Sequence, residues 1–377
     1  VSLRRTIAVA RKELVHIRRD SRSLAMALAI PLLLLLLFGY ALTLDVDRIA
    51  TFVFDQDRSP QSRDLISRLE GSRFFQIEGY VDEFSAIQDA VDKSQIILGL
   101  VVPNDFSRKL LAGRETSVQV IVEGSDSNTA NIALGYVENV LASYSLRVRA
   151  EEQLRLSGRE IKPPAEARLR VLYNSELESK NYIVPGLIAV ILMIIGALLT
   201  SLTIAREWEM GTMEQVLSTP LRPAELAIGK MLAYSAIGVA DVVICVVIGL
   251  TVFDVPFRGN VLILAGGCGV FLIGSLFWGI MLSATLRSQL LAYQASLVSS
   301  FLPAYLLSGF VFAIEAMPEP VQIATYIVPA RYFISILKGV FLKGVGIEIL
   351  AWEFVFLIVY SVVVFLVATR QLRQKVA

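Results

Sequence analysis

Six apolar segments, each about as long as a bilayer is thick, constrain this chain more than any other feature. A helix needs about 20 mostly apolar residues to cross a hydrocarbon core of ~30 Å. Such segments run over 24–42, 182–204, 231–253, 261–282, 290–312 and 352–368. Pro31 followed by six consecutive leucines and Phe38 marks the first. Composition agrees, with 55% hydrophobic and only 18% charged residues, where soluble domains carry about 45–50% and about 25%. The pattern predicts an α-helical membrane protein with six transmembrane helices. It excludes a purely soluble enzyme, a disordered chain and a disulfide-rich module. The first segment does not read as a cleavable signal. It is long, has no small-residue cleavage site and follows a polar leader, 1–23.

Between the first two segments lies a polar stretch, 43–181. From residue 45 to 180 it holds 17 Lys and Arg against 22 Asp and Glu. That is more than half of the chain's 34 acids, so the stretch reads as a water-exposed domain inserted after the first span. Strand signals over 49–54, 73–80, 96–102 and 117–122 alternate with helical ones over 60–69, 83–93 and 105–112. A long helix over 128–156 follows, and 167–173 reads as a last strand. The alternation predicts an α/β domain. Asp126, Ser127 and Asn128 suit a helix N-cap.

Orientation is read from Lys and Arg near the spans. The leader carries Arg4, Arg5, Arg11, Lys12, Arg18, Arg19 and Arg22 against Glu13 and Asp20, and the tail 370–377 carries Arg370, Arg373 and Lys375 with no acid. Six spans place both on one side, expected to be the cytoplasm, with the inserted domain extracytoplasmic and 313–351 facing outward. In the leader Leu3, Ile7, Ala10, Leu14 and Ile17 form one apolar stripe. Such a basic amphipathic helix suits the headgroup plane of anionic membrane lipid.

The loop 205–230 after the second span holds Arg206-Glu207-Trp208-Glu209-Met210-Gly211-Thr212-Met213-Glu214-Gln215-Val216-Leu217-Ser218-Thr219-Pro220. It reads as a short acidic element projecting from the membrane. Its pattern resembles the signature loop of ABC-2 type exporter permeases. Leu307-Ser308-Gly309-Phe310, Met317-Pro318 and Tyr326-x-x-Pro329-Ala330-Arg331-Tyr332 resemble that family's external segment before the last span. The large insertion, including Asp126-x-Asn128-Thr129-Ala130-Asn131, is similar to the subgroup of bacterial multidrug-type exporters.

The resemblance implies a set of roles. The leader is the family's interfacial elbow helix. Arg206, Glu207, Glu209, Gly211, Thr212, Glu214 and Leu217 couple to a separate nucleotide-binding subunit. Region 313–351, with Gly309, Pro318, Pro329 and Arg331, caps the pathway on the outer side as a re-entrant gate. Two permeases face each other in a homo- or heterodimer, in a bacterial inner membrane, and some members of the subgroup work beside a periplasmic adaptor protein. The chain has no Gly-x-x-x-x-Gly-Lys-Ser/Thr segment. Lys230 follows Gly229 but no glycine-rich loop precedes it. ATP and magnesium are therefore expected on the partner, with no cofactor, metal site or catalytic residue in this chain. One histidine and two cysteines, Cys245 and Cys268 within apolar runs, support no metal cluster or triad. A net charge of +1 supplies no basic field for nucleic acid.

Asp241 lies ten residues into the third span, about 15 Å deep. A carboxylate there must be paired, wetted or protonated, which makes it a pathway candidate; a hydrogen-bonded acid within the bundle is the alternative. Gly266, Gly267, Gly269, Gly274 and Ser275 allow close helix packing. Pro303 and Pro185-Gly186 are candidate kinks.

The leading function is the permease subunit of an ATP-driven exporter of hydrophobic or amphipathic compounds. The alternatives are a polysaccharide or glycolipid exporter, and a non-transporting membrane protein that relays force or signal to an external partner. Copurification with an ATPase argues for either exporter, and ATPase stimulation by a compound with transport in vesicles separates both from the relay; a glycan exporter would favour a wide aromatic-lined channel.

Overall fold

In the computed structural model, described for residues 2–41, 48–157, 172–174 and 178–374, the chain divides into two compact units. One comprises residues 44–169; the other joins 1–43 to 170–377.

The membrane unit begins with α1 (Leu3–Arg19) and α2 (Ser21–Ala41). One residue, Asp20, separates them, so the first spanning helix starts three residues earlier than its apolar run. The buried face of α1 is Thr6, Val9, Ala10 and Glu13. Of the apolar stripe seen in the sequence, Leu3, Ile7 and Leu14 are exposed. The helix is amphipathic as expected, but most of its apolar stripe turns away from the protein.

The inserted unit is α/β. It runs β1 (Ile49–Asp55), α3 (Pro60–Glu70), β2 (Phe75–Tyr80), α4 (Phe84–Asp92), β3 (Leu98–Val102), α5 (Phe106–Leu111), β4 (Gln119–Val122) and α6 (Ser127–Ser157). The sheet order is β2-β1-β3-β4. β1 pairs parallel with both β2 and β3, and β3 pairs antiparallel with β4. Every residue of central β3 is buried, as a strand covered on both faces requires. One face packs Leu65, Leu69 and Phe106 with Ala133 and Val137 of α6; the other packs Ile87 and Ala90 of α4. Thr129 donates its hydroxyl to Asp126 at the start of α6, 2.5 Å. The strand expected over 167–173 falls almost wholly outside the described residues.

Back in the membrane unit, α7 (Lys180–Glu209) is the central helix. Every residue from Ile183 to Ala197 is buried, matching a sequence apolar on all sides. The chain continues with α8 (Met213–Leu217), α9 (Pro223–Thr251), α10 (Val261–Leu286) and α11 (Gln289–Leu306). It then passes through α12 (Glu319–Thr325) and α13 (Pro329–Lys338), a π-helical turn Gly339–Lys343, and α14 (Ile347–Gln374). Small residues set the α7–α10 approach. A Cβ on Gly279 would stand 2.1 Å from the Ala197 carbonyl oxygen. Thr200 donates to the Leu276 carbonyl, 2.7 Å, and the Ser283 hydroxyl accepts from the Ile204 and Ala205 N–H groups, 3.0 and 2.8 Å. On the far side of α10, Gly274 lies against Tyr360 and Ser361 of α14. Gly269, expected in the same packing, has nothing within 4 Å.

Five helices among the described residues are long and apolar enough to cross a membrane: α2, α7, α9, α10 and α14. The fifth expected span, 290–312, is a shorter and less apolar helix. α11 ends at Leu306, Gly309 three residues on takes φ +78°, and Phe310 packs against Gly186 of α7. The helices α12 and α13, the latter with its π-turn, meet at 79°. This bent pair occupies the region expected to be re-entrant.

Candidate coupling site

The loop expected over 205–230 is mostly helix. α7 continues to Glu209, so Arg206, Glu207 and Glu209 sit on its last turn rather than on a separate projecting element. Met210 closes that turn and Gly211 takes φ +70°, the left-handed conformation at which helices commonly end. Thr212 donates back to the Glu207 carbonyl, 3.3 Å. Only α8, five residues long, stands apart. It carries Glu214 in its first turn, where an acid complements the exposed N–H groups. The backbone of Leu217 ends α8; its side chain lies outside the described residues.

Glu207 is not offered to the outside. It is 8% exposed and belongs to a cluster of four charges from three helices. Lys230 of α9 places its Nζ 3.0 Å from Glu13 Oε1 and 3.1 Å from Glu207 Oε1. Lys12 of α1 places its Nζ 2.7 Å from Glu207 Oε1 and 3.3 Å from Glu13 Oε1. Two cations thus face two anions with no net charge. Lys230 is 1% exposed, a burial that several kcal/mol of lost hydration would forbid without partners. Burial pushes the Glu13 carboxyl up, but Lys230 and Lys12 outweigh it and hold it below the usual carboxylate range. Burial likewise lowers Lys12, and Glu207 with Glu13 reverses this and raises it.

Local sequence explains the close approach. A Cβ on Gly229 would stand 2.7 Å from Val9 and 3.0 Å from the Thr6 carbonyl oxygen. The glycine admits α1 against α9, and the next residue, Lys230, then reaches Glu13. One turn before, Glu225 ties the two helix starts together. It accepts from the Ser2 N–H, 2.6 Å, and from the Arg222 N–H, 3.0 Å.

The neighbouring residues bind α11. Arg206 donates to Gln289 Oε1, 3.3 Å, and lies 3.4 Å from the His16 ring nitrogen. Glu209 accepts from the Gln289 backbone N–H, 2.8 Å, and from its amide, 2.5 Å. Arg287 lies over the Trp208 ring, 4.1 Å from its centre. Of the three acids expected at a docking face, Glu214 alone is exposed and without a side-chain partner among the described residues.

The expected gate residues gather at the opposite end of α7. The Tyr182 hydroxyl donates to the Gly309 carbonyl, 2.7 Å, and Lys338 sits 3.6 Å above the Tyr182 ring. Pro318 caps α12 and Pro329 opens α13. Arg331 bonds Thr325 and lies 4.1 Å over the Tyr326 ring, bracing the 79° bend.

Asp241, expected as a pathway candidate, has no exposed surface and is enclosed by the bundle of its own chain. Both carboxylate oxygens lack a hydrogen-bond partner among the described residues.

Lys12, Glu13 and Lys230 were not legible as site residues. Glu13 lies off the apolar stripe that drew attention on α1, and Lys230 invited only comparison with a phosphate-binding loop. The available signal was the lone acid at the Thr6–Val9–Ala10–Glu13 spacing, together with a lysine just inside an apolar helix.

The chain matches the family described as "ABC-2 family transporter protein" over residues 22–370. It is 37% identical over 366 residues to "Probable multidrug ABC transporter permease YbhS" of Escherichia coli K12, covering 96% of this chain and 95% of that one. It is 30% identical over 339 residues to "Probable multidrug ABC transporter permease YbhR" of the same organism, 90% of each. With "Inner membrane transport permease YhhJ" it shares 26% over 339 residues, covering 86% of this chain and 85% of that one. The match spans the membrane unit and the inserted α/β unit alike, and this chain belongs to the ABC-2 transporter permease family.

Proposed function

We propose that this chain is the membrane subunit of an ATP-driven exporter of hydrophobic or amphipathic compounds, working with a separate nucleotide-binding subunit. The observation that carries the coupling role is the four-charge cluster. It fastens the interfacial helix α1 to the ends of α7 and α9, and α8 with its exposed Glu214 follows α7 directly in the chain. A push on α8 would then move α1, α7 and α9 as one body. The names of the E. coli relatives support a drug-like cargo. Two copies, or this chain and a second permease, enclose the path. The basic ends at α1 and α14 lie in the cytoplasm of a bacterial inner membrane and the α/β unit lies outside it, where a periplasmic adaptor protein is a candidate partner. ATP and magnesium belong to the partner.

The test is copurification of the full chain from its native host with a P-loop ATPase, followed by ATP-dependent dye transport in inverted vesicles. Purification without an ATPase, or ATP hydrolysis that moves no dye, would overturn the exporter reading. Labelling of single cysteines placed at Ser125 and Gln374 with a membrane-impermeant reagent tests the orientation. Reaction from outside at 374 alone reverses it.

A further inference from the structure

A cavity of about 890 Å³ opens between α1, α2, α7, α8 and the first turns of α9. Its two ends differ in chemistry. One is polar, with Arg5, His16 and Arg206 beside the four-charge cluster; the other is apolar, walled by Ala27, Leu198 and Leu202 among others. The apolar walls belong to helices long enough to span a membrane, and the polar end to the ends of α7 and α9 together with α1 and the α8 loop. Its rim includes Met26, Ile30 and Tyr293, all exposed on the flank of the bundle. These residues offer an acyl chain a way in from the bilayer, while exposed Gln215, Thr219 and Pro220 line the polar end.

The charges at the polar end are unevenly used. Glu13 and Glu207 are held by Lys12 and Lys230, and Asp20 is itself engaged. Among the described residues Arg206 donates to Gln289, lies beside the His16 ring nitrogen and forms no ion pair. Arg5 gives a hydrogen bond to the Pro220 carbonyl and stands 3.8 Å from Glu225, whose two oxygens already accept backbone N–H groups. The cavity thus joins one cation with no ion-pair partner among the described residues, Arg206, and a second, Arg5, paired loosely with Glu225, to an apolar slot. Basic pockets between spanning helices bind anionic headgroups, and this volume lies toward the upper end of small-molecule sites.

We propose that this cavity holds one anionic phospholipid of the surrounding bilayer, its phosphate on Arg206 with Arg5 alongside and its acyl chains between α2 and α7. The lipid is resident rather than transported. It fills the space beside the four-charge cluster, so bilayer charge sets how firmly α1 is seated.

Native mass spectrometry of the full chain, released from nanodiscs of equal phosphatidylglycerol and phosphatidylcholine, tests this. One phosphatidylglycerol per chain is expected to be retained, at about tenfold over phosphatidylcholine, whose phosphate is equivalent but whose choline cation would stand against Arg206 and Arg5. Arg206→Gln should bring that preference close to parity, and Arg206→Lys should keep most of it. Ala27→Trp, which fills the apolar half, should reduce retention of both lipids. Equal retention of the two lipids by the unaltered chain overturns the proposal. So does an unchanged preference in Arg206→Gln, or unchanged retention in Ala27→Trp. Displacement of phosphatidylglycerol by millimolar inorganic phosphate would assign the site to a free anion, and displacement by a cationic dye would assign it to cargo; either refutes the resident lipid. The readout needs neither ATPase nor transport, so it fails separately from the exporter reading.

Discussion

At one end of α7, Tyr182 is held by a backbone carbonyl at a glycine turn and by an ammonium group above its ring. At the other end, Glu207 is locked between two lysines from two other helices. The first joint uses neutral or single-charge contacts, each worth about 0.5–1.5 kcal/mol, and any one can slip without stranding a charge. The second is balanced, two against two, and removing one member leaves a buried charge without its partner. One end can therefore yield while the other moves as a block, and in the proposed exporter α7 would be driven at the second end and gate at the first.

The largest expected effect comes from breaking the balance. Lys230→Met leaves Glu13 and Glu207 facing each other with only the half-exposed Lys12 between them. A loss of about 3–5 kcal/mol is typical for stripping one partner from a buried pair, and the chain should lose monodisperse behaviour on fluorescence-detected gel filtration. Adding Glu13→Gln to Lys230→Met removes one stranded charge and should restore part of it. A double variant no better than the single one would show that geometry, not charge balance, holds α1.

Next in size is a steric test at the yielding end. A Cβ on Gly186 would stand 2.1 Å from the Phe310 ring. Gly186→Leu overpacks that contact, at a typical cost of about 1–3 kcal/mol. The comparison predicts that Phe310→Ala in the same chain relieves it, because a loop can move where a block cannot. A thermal midpoint that stays depressed in the double variant would mean that this end is as rigid as the other.

Acid should distinguish the two ends as well. Glu13 is held below its ordinary range by Lys230 and Lys12. Its contribution is present above the unfolded value of ~4.3 and is lost as pH falls through the lower folded one. The thermal midpoint should thus drop below about pH 4, and Glu13→Gln should flatten that part of the profile. Equal slopes with and without Glu13 would remove the cluster from the account.

The two units were unequally legible. In the α/β unit strand alternation and turn residues repeat over short distances, and all four described strands fall where the sequence placed them, within two or three residues. The spanning helices were also plain from apolar length, α11 excepted, where serines and glutamines dilute the signal and the helix ends early. The coupling site was half legible. The loop pattern pointed to Glu207, Glu209 and Glu214, yet no local rule shows that Glu207 turns inward. Its partners lie 195 and 23 positions away, and long-range pairing leaves no periodicity to read. Thr6, Val9, Ala10 and Glu13 form a mixed polar and small-residue face, and apolar periodicity picks out the other face of that helix.

Glu214 tests the surface side of the comparison. It is exposed and has no side-chain partner among the described residues, so Glu214→Lys should change stability by no more than about 0.5 kcal/mol. In the proposed complex the same change should uncouple ATP hydrolysis from transport. Preserved coupling in Glu214→Lys and in Glu209→Lys would move the docking face away from α8.

The smallest effect is expected at Asp241, which is the counterpart of Glu207 with the partners taken away. Both are acids buried among spanning helices, but Glu207 meets two ammonium groups and Asp241 meets no hydrogen-bond donor among the described residues. Glu207→Gln breaks ion pairs and should destabilise. Asp241→Asn breaks none. The amide has the same shape as the carboxyl, so the thermal midpoint should barely change. Transport gives the sharper reading. A carboxylate lining the path would attract cations through a low-dielectric space where Coulomb forces are weakly screened. Its removal would then lower cationic dye export more than neutral export. Enclosed as it is by α9 and its neighbours, Asp241 should leave the ratio of cationic to neutral transport as it was. Asp241→Leu should then act on both substrates alike, through packing. A selective loss of cation export in the Asn variant would instead mean that the bundle opens around this residue during the cycle. The comparison would then run the other way, with the unpaired acid as the moving part and the paired one as its fixed support.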